Sequence, residues 1–95
     1  MPKFYWIARV DIHDPETYKL YVEASAPAFA RFNAKILARG GKTQKLEGPA
    51  RARNVVIEFE SMDQALACYN SPEYVKARVW RHQASTGELI LVEGV

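Results

Sequence analysis

Every even-numbered residue from Phe4 to Ile12 is apolar: Phe4, Trp6, Ala8, Val10 and Ile12. Alternation with period two is what a strand needs to bury one of its faces. The odd positions begin apolar, with Tyr5 and Ile7, and end charged, with Arg9 and Asp11. One face is therefore core, and the other is too apolar in part to stand in water. A second strand of the same kind runs from Asn54 to Glu60, with Val55, Ile57 and Phe59 on one face and Val56 and Glu58 on the other.

The two strands belong to halves that echo each other at a shift of 47 residues. Val10 falls on Ile57, Asp11 on Glu58, Ile12 on Phe59, Asp14 on Ser61 and Glu16 on Asp63. Asp14-Pro15-Glu16 starts a helix, with an N-cap, a proline at the first position and an acid in the first turn. Its apolar stripe is Tyr18, Tyr21, Val22, Ala26, Phe29 and Phe32. Pro27 should kink or split this helix near Ser25-Ala26, and Asn33 should end it. Lys35 to Gly40 reads as a short strand; Gly40-Gly41 permits a bulge or bend, and Lys42 to Leu46 is the candidate continuation. Ser61-Met62-Asp63-Gln64 is a capping box opening a short helix. Ser71-Pro72 opens another, which carries Tyr74, Val75, Val79 and His82, with Gly87 closing the loop before a last strand, Glu88 to Glu93.

The order is β-α-β-β-α-β. It predicts an α+β, ferredoxin-like fold: an antiparallel four-stranded sheet with helices on one face. Ninety-five residues make one domain, 1–95. A chain this short buries only roughly 60 to 65% of its unfolded surface. It nonetheless carries two Trp, five Tyr and four Phe. A second copy packed sheet to sheet would cover the open face, so a homodimer is expected. The single cysteine, Cys68, excludes an internal disulfide framework and reads as a buried thiol. No stretch approaches the ~20 apolar residues that span a bilayer. No membrane partner and a cytoplasmic location are the expectations.

Several segments together resemble a known family. They are Tyr5-Trp6-Ile7-Ala8-Arg9-Val10, the Asp14-Pro15-Glu16 cap, Ala38-Arg39-Gly40-Gly41, Arg53 to Phe59, Tyr69-Asn70-Ser71-Pro72-Glu73-Tyr74 and Leu91 to Val95. The chain resembles an uncharacterised bacterial domain-of-unknown-function family of the dimeric α+β barrel superfamily. That resemblance implies ferredoxin-like monomers whose sheets meet in a two-chain barrel. The superfamily includes cofactor-independent monooxygenases, isomerases, haem-degrading enzymes and plain ligand-binding or stress proteins, so it implies fold more than chemistry.

Arg39, followed by two glycines, could clamp a carboxylate or enolate through its two-pronged guanidinium; a strand arginine is otherwise paired or solvated. Arg9 and Glu58 lie on the non-helix face by alternation. Either they form a structural ion pair with Asp11, or Glu58 or Asp11 is a general base raised by desolvation. His82 is a candidate proton shuttle near neutral pH, or simply a cation at a helix C-terminus. Tyr18, Tyr21, Tyr69, Tyr74 and Trp6 are core or, where several tyrosines share one cleft, walls of a pocket for an aromatic molecule; Tyr21, Tyr69 and Trp6 are the candidates. His13 is a turn residue, and the two histidines lack metal-ligand spacing, so neither metal nor cofactor is expected. From Arg31 to Arg53 seven basic residues face one acid, Glu47. Without interleaved aromatics this stretch does not suggest nucleic acid, and lysines at a sheet edge resist aggregation.

Two functions stay open. One is a cofactor-independent enzyme on a small anionic or aromatic molecule, with Arg39 and Arg9 binding, Glu58 or His82 moving the proton, and Tyr21, Tyr69 and Trp6 as walls. The other is a non-catalytic dimeric ligand-binding or stress-related module.

Overall fold

The computed structural model describes residues 2–95. Its elements are β1 (Phe4–Ile12), α1 (Pro15–Arg31), β2 (Lys35–Arg39), β3 (Arg53–Phe59), α2 (Met62–Tyr69), α3 (Pro72–Ala84) and β4 (Ser85–Glu93). The strands form one sheet in the order β2-β3-β1-β4, every neighbouring pair antiparallel. This is the ferredoxin-like plan that the element order predicts.

The halves align where the sequence places them. Asp14 caps α1 by accepting from the Thr17 N–H at 3.2 Å. Ser61 caps α2 by accepting from the Gln64 N–H at 3.1 Å. The return arm of the box lands one residue early: Gln64 Oε1 accepts from the Glu60 N–H at 2.9 Å. The Gln64 amide also donates to the Phe32 carbonyl, tying the end of α1 to the start of α2. Ser71 caps α3 through the Tyr74 N–H at 3.2 Å.

Trp6, Ala8 and Val10 of β1 and Ile57 and Phe59 of β3 are buried, as the alternation requires. Trp6 is the centre of an aromatic cluster, its ring 5.0 Å from Tyr74, 5.5 Å from Phe29 and 5.8 Å from Phe59 and Tyr69. Three of these contacts are edge-to-face and that with Phe59 is tilted, and they add to the burial of the rings.

Four expectations are corrected. First, α1 runs unbroken through Pro27. Pro27 and Glu23, whose carbonyl loses its helical donor, are both exposed, so water replaces the missing bond. Second, the buried stripe of α3 is Tyr74, Ala77, Arg81 and Ala84, while Val75, Val79 and His82 face out. Close packing of α1 on α3, with Ala28 and Ala77 fully buried, selects small side chains over the larger valines. Third, Gly87 lies inside β4, opposite Val10. A Cβ there would strike the Arg9 carbonyl, so only glycine fits this close approach. Fourth, residues 40–52 are a loop and do not continue β2.

The bulge of β2 sits at Leu37, not at Gly40-Gly41: Ile36 pairs with Ile57, but Ala38 pairs with Val56. One extra residue reverses the alternation beyond it. Arg39 therefore pairs with Val55 and turns to the same face as Ile36, toward the helices.

On the opposite face one apolar row crosses all four strands: Ala38, Val56, Ile7 and Ile90. Ile90 is 56% exposed. The 40–52 loop closes over one end of this face. Arg51 bridges Asp11 at 2.8 Å and Glu88, and Asp11 accepts the Ala52 N–H at 3.0 Å. The Ala52 amide, then Arg51, holds the Asp11 carboxyl below its ordinary range, and Arg51 does the same for Glu88. A depressed carboxylate contributes above its unfolded pKa and is lost as pH falls through the folded one. The Ala52 amide resonance is thus expected to stay constant from neutral pH and shift only below about pH 4. A transition near pH 6 in an NMR titration would contradict this clamp.

Candidate active site

A cavity of about 310 Å³ opens between α1 and the helix face of the sheet. Small side chains at Ala8, Ala26, Ala30 and Ala34 leave the space that the neighbouring rings do not fill. Trp6, Phe29, Ile36 and Ile57 make its apolar end.

The other end is cationic. Arg39 ends β2, Arg53 begins β3 and Arg81 lies in the last turn of α3, and all three line the cavity. Antiparallel pairing brings these positions to one end of the molecule: Arg53 faces Val10, and Val10 faces Gly87, two residues into β4. No Asp or Glu lines the cavity. Among the described residues no carboxylate pairs with any of the three arginines. Arg81 is only 8% exposed, and its Nε, like that of Arg53, is buried with no hydrogen-bond partner. Their charges rest against rings: Arg53 lies 5.2 Å from the Tyr18 centroid and Arg81 5.7 Å from that of Tyr21.

Tyr21 and Tyr74 share a hydroxyl–hydroxyl bond of 2.8 Å beneath the helices. Burial, then the neighbouring Tyr74, pushes Tyr21 well above the ordinary phenol value. Burial also raises Tyr74, against the opposing pull of Arg81. Both are neutral donors at neutral pH and not bases.

Arg53 owes its position to Gly40. Gly40 has φ +68°, and a Cβ there would collide with the Arg53 guanidinium. Gly48 has the same φ with open space around it. Gly40→Ala is therefore expected to weaken anion binding about tenfold, while Gly48→Ala carries the same backbone strain and leaves binding unchanged. Equal affinities in the two variants, measured by calorimetry, would remove the positioning role.

The residues singled out by sequence divide. Arg39, Tyr21 and Trp6 share the cavity. Tyr69 does not: with Trp6 as common wall it borders a separate hollow of about 190 Å³ against β4, under Arg78 at 4.5 Å. Arg9 is on the open face and donates to the Pro49 carbonyl at 3.2 Å. Of its expected carboxylate partners, Asp11 is taken by Arg51. Glu58 is on the same open face, pairing with Tyr5 and Lys35 and accepting from the Tyr5 hydroxyl at 3.2 Å. Asp11 is held low rather than raised. His82 is exposed on α3, its pKa lowered by partial desolvation and then by Arg81 and Arg78. Neither Glu58 nor His82 reaches the cavity within one chain. Burial lifts the Cys68 thiol to about 12, and it packs against the Ala28 carbonyl. Sequence reading missed Arg53 and Arg81; Tyr18 and Tyr74, weighed there as core or wall, line the cavity. The signal for Arg81 was present: it falls at the spacing of Tyr74, Ala77 and Ala84, on the inner stripe.

Solved structures share this architecture. A protein of unknown function from Rhodopseudomonas palustris is 21% identical, with a TM-score of 0.82 over 99% of this chain and 83% of that one. SnoaB, a cofactor-independent oxygenase from Streptomyces nogalater, is 14% identical, with a TM-score of 0.69 over 97% and 92%. A dimeric protein of unknown function and ferredoxin-like fold from Bacteroides fragilis is 15% identical, with a TM-score of 0.58 over 96% and 95%. No curated protein matches the sequence. The model of the domain of unknown function DUF1330 matches residues 3–95, and the chain belongs to that family.

Proposed function

We propose that this chain binds a small organic anion with an aromatic or otherwise apolar body, and acts on it as a cofactor-independent enzyme that stabilises an enolate or phenolate. One observation carries this reading: three arginines and three tyrosines line an otherwise apolar cavity that, among the described residues, no carboxylate lines. Buried cations without a counter-ion are costly, and a bound oxyanion offsets that cost. The cavity also holds no side chain able to take a proton at neutral pH. The arginines act instead by lowering the pKa of the substrate itself, so that its proton leaves to water. The likeness to a cofactor-independent oxygenase supports an oxygen-consuming reaction of the resulting electron-rich anion.

The apolar row on the open face supports pairing with a second copy, in keeping with the dimeric Bacteroides relative, and a cytoplasmic location goes with this reading. Sedimentation should give twice 10.8 kDa, and Ile90→Lys should give a monomer; a wild-type monomer at micromolar concentration would exclude the pair.

The site is tested with 4-nitrophenol, whose ionisation is visible. Bound to the protein, it should ionise about one to two pH units lower than in water, a stabilisation of about 1.4–2.8 kcal/mol, and Arg53→Ala should remove most of that shift. An unchanged or raised ionisation pH would sink the proposal. Oxygen uptake with an electron-rich naphthol then separates the enzyme from a non-catalytic binder.

A further inference from the structure

The donors of the cavity fall into two sets, not one. Arg39 and Arg53 stand on the sheet at its β2–β3 edge, the former exposed and the latter half-buried. Arg81, Tyr21 and Tyr74 stand in the helix layer, and all three are buried. Tyr18 and Tyr21, with ring centroids 5.3 Å apart, lie between, each carrying one guanidinium on its ring.

Each set has its own unmet hydrogen-bonding capacity. Arg53 Nε is the orphan of the outer set and Arg81 Nε of the inner one. The tyrosine pair adds another. Two hydroxyls in mutual contact make one bond, with one donating and the other accepting. The accepting hydroxyl keeps a proton, and among the described residues no acceptor receives it. Ser25, the other buried hydroxyl on the wall, already donates to the Val22 carbonyl at 3.2 Å. Buried donors left unmade are expensive, more so when charged. A ligand with a single anionic end would satisfy one set and leave the other dry.

Resting on the anion-site reading above, we infer that the ligand carries two oxygen functions. A carboxylate is held at the sheet edge by Arg39 and Arg53. A carbonyl or enolate oxygen is held beneath the helices by Arg81 and the Tyr21 hydroxyl, which Tyr74 fixes from behind. The substrate class is thus an oxo-acid with an aromatic or compact apolar body, in its keto or enolate form. The inner set offers unspent donors, the Arg81 guanidinium and one phenol proton, so it prefers an oxygen that accepts and rejects an apolar group of the same shape, which would leave those donors desolvated and unpaired.

The test uses pairs of shape-matched probes: 3- and 4-acetylbenzoate against 3- and 4-isopropylbenzoate, with affinities measured by calorimetry. For at least one ring position, the acetyl acid should bind the wild type about tenfold or more tightly than its isopropyl counterpart. The double variant Tyr21→Phe/Tyr74→Phe should erase that preference, binding the isopropyl acid at least as tightly as the wild type does. Arg81→Met should erase it as well, which keeps the test valid if the phenylalanine variant is poorly folded by its melting curve. Isopropyl acids that bind as well as acetyl acids at both positions would overturn the inner oxygen site while leaving the anion site standing. Variants that lose both probes equally would do the same. Failure of all four acids to bind would take down both readings.

Discussion

Trp6→Ala is expected to destabilise the protein by about 3–5 kcal/mol, a large share of what a domain this size holds. The indole is 1% exposed and touches four rings drawn from α1, β3, α2 and α3. Its removal would merge the two hollows it separates into one void that α1 and α3 cannot close, because they are already closely packed, with Ala28 and Ala77 fully buried. Trp6→Phe keeps part of the wall and should cost less than half as much. Urea unfolding at fixed protein concentration reads both. A loss below 1 kcal/mol for Trp6→Ala would mean that the aromatic cluster does not hold the layers together.

Arg81→Met has effects of opposite sign on stability and binding. Arg81 has a buried guanidinium with no carboxylate partner and an orphaned Nε. A methionine of similar length fills the space without that charge, so the melting temperature of the unliganded protein should rise. Affinity for the acetyl acid should fall about 10- to 100-fold, as for the loss of a charge-assisted hydrogen bond, while the isopropyl acid keeps its affinity. A fall in melting temperature with affinity unchanged would make Arg81 a structural residue and not a ligand contact. The pairing of gain and loss is what a functional site predicts, since residues there are placed for a ligand and not for the fold.

Local chemistry was legible where neighbours along the chain decide it. The strand faces of Phe4–Ile12 and Arg53–Phe59, the caps at Asp14, Ser61 and Ser71 and the shift of 47 residues between halves all follow from spacing and side-chain type. So does the placing of Arg9, Asp11 and Glu58 on the open face, because alternation in an unbroken strand carries forward. The site was legible only in part. Arg39, Tyr21 and Trp6 line the cavity; Glu58, His82, Arg9 and Tyr69 stand elsewhere; Arg53 and Arg81 went unseen.

The misses share a cause. Which face of α3 turns inward depends on how closely α1 approaches, and alanines there admit an approach that valines would block. Hydrophobic spacing alone favours the valines. The direction of Arg39 depends on one extra residue at Leu37, and strand alternation carries no mark of it. Sequence by itself determined the elements, their order and the sheet they must form, because period, caps and turns act over a few residues. Only the tertiary structure decided which three arginines meet, because a bulge, a glycine against a guanidinium and a helix crossing act between segments far apart in the chain.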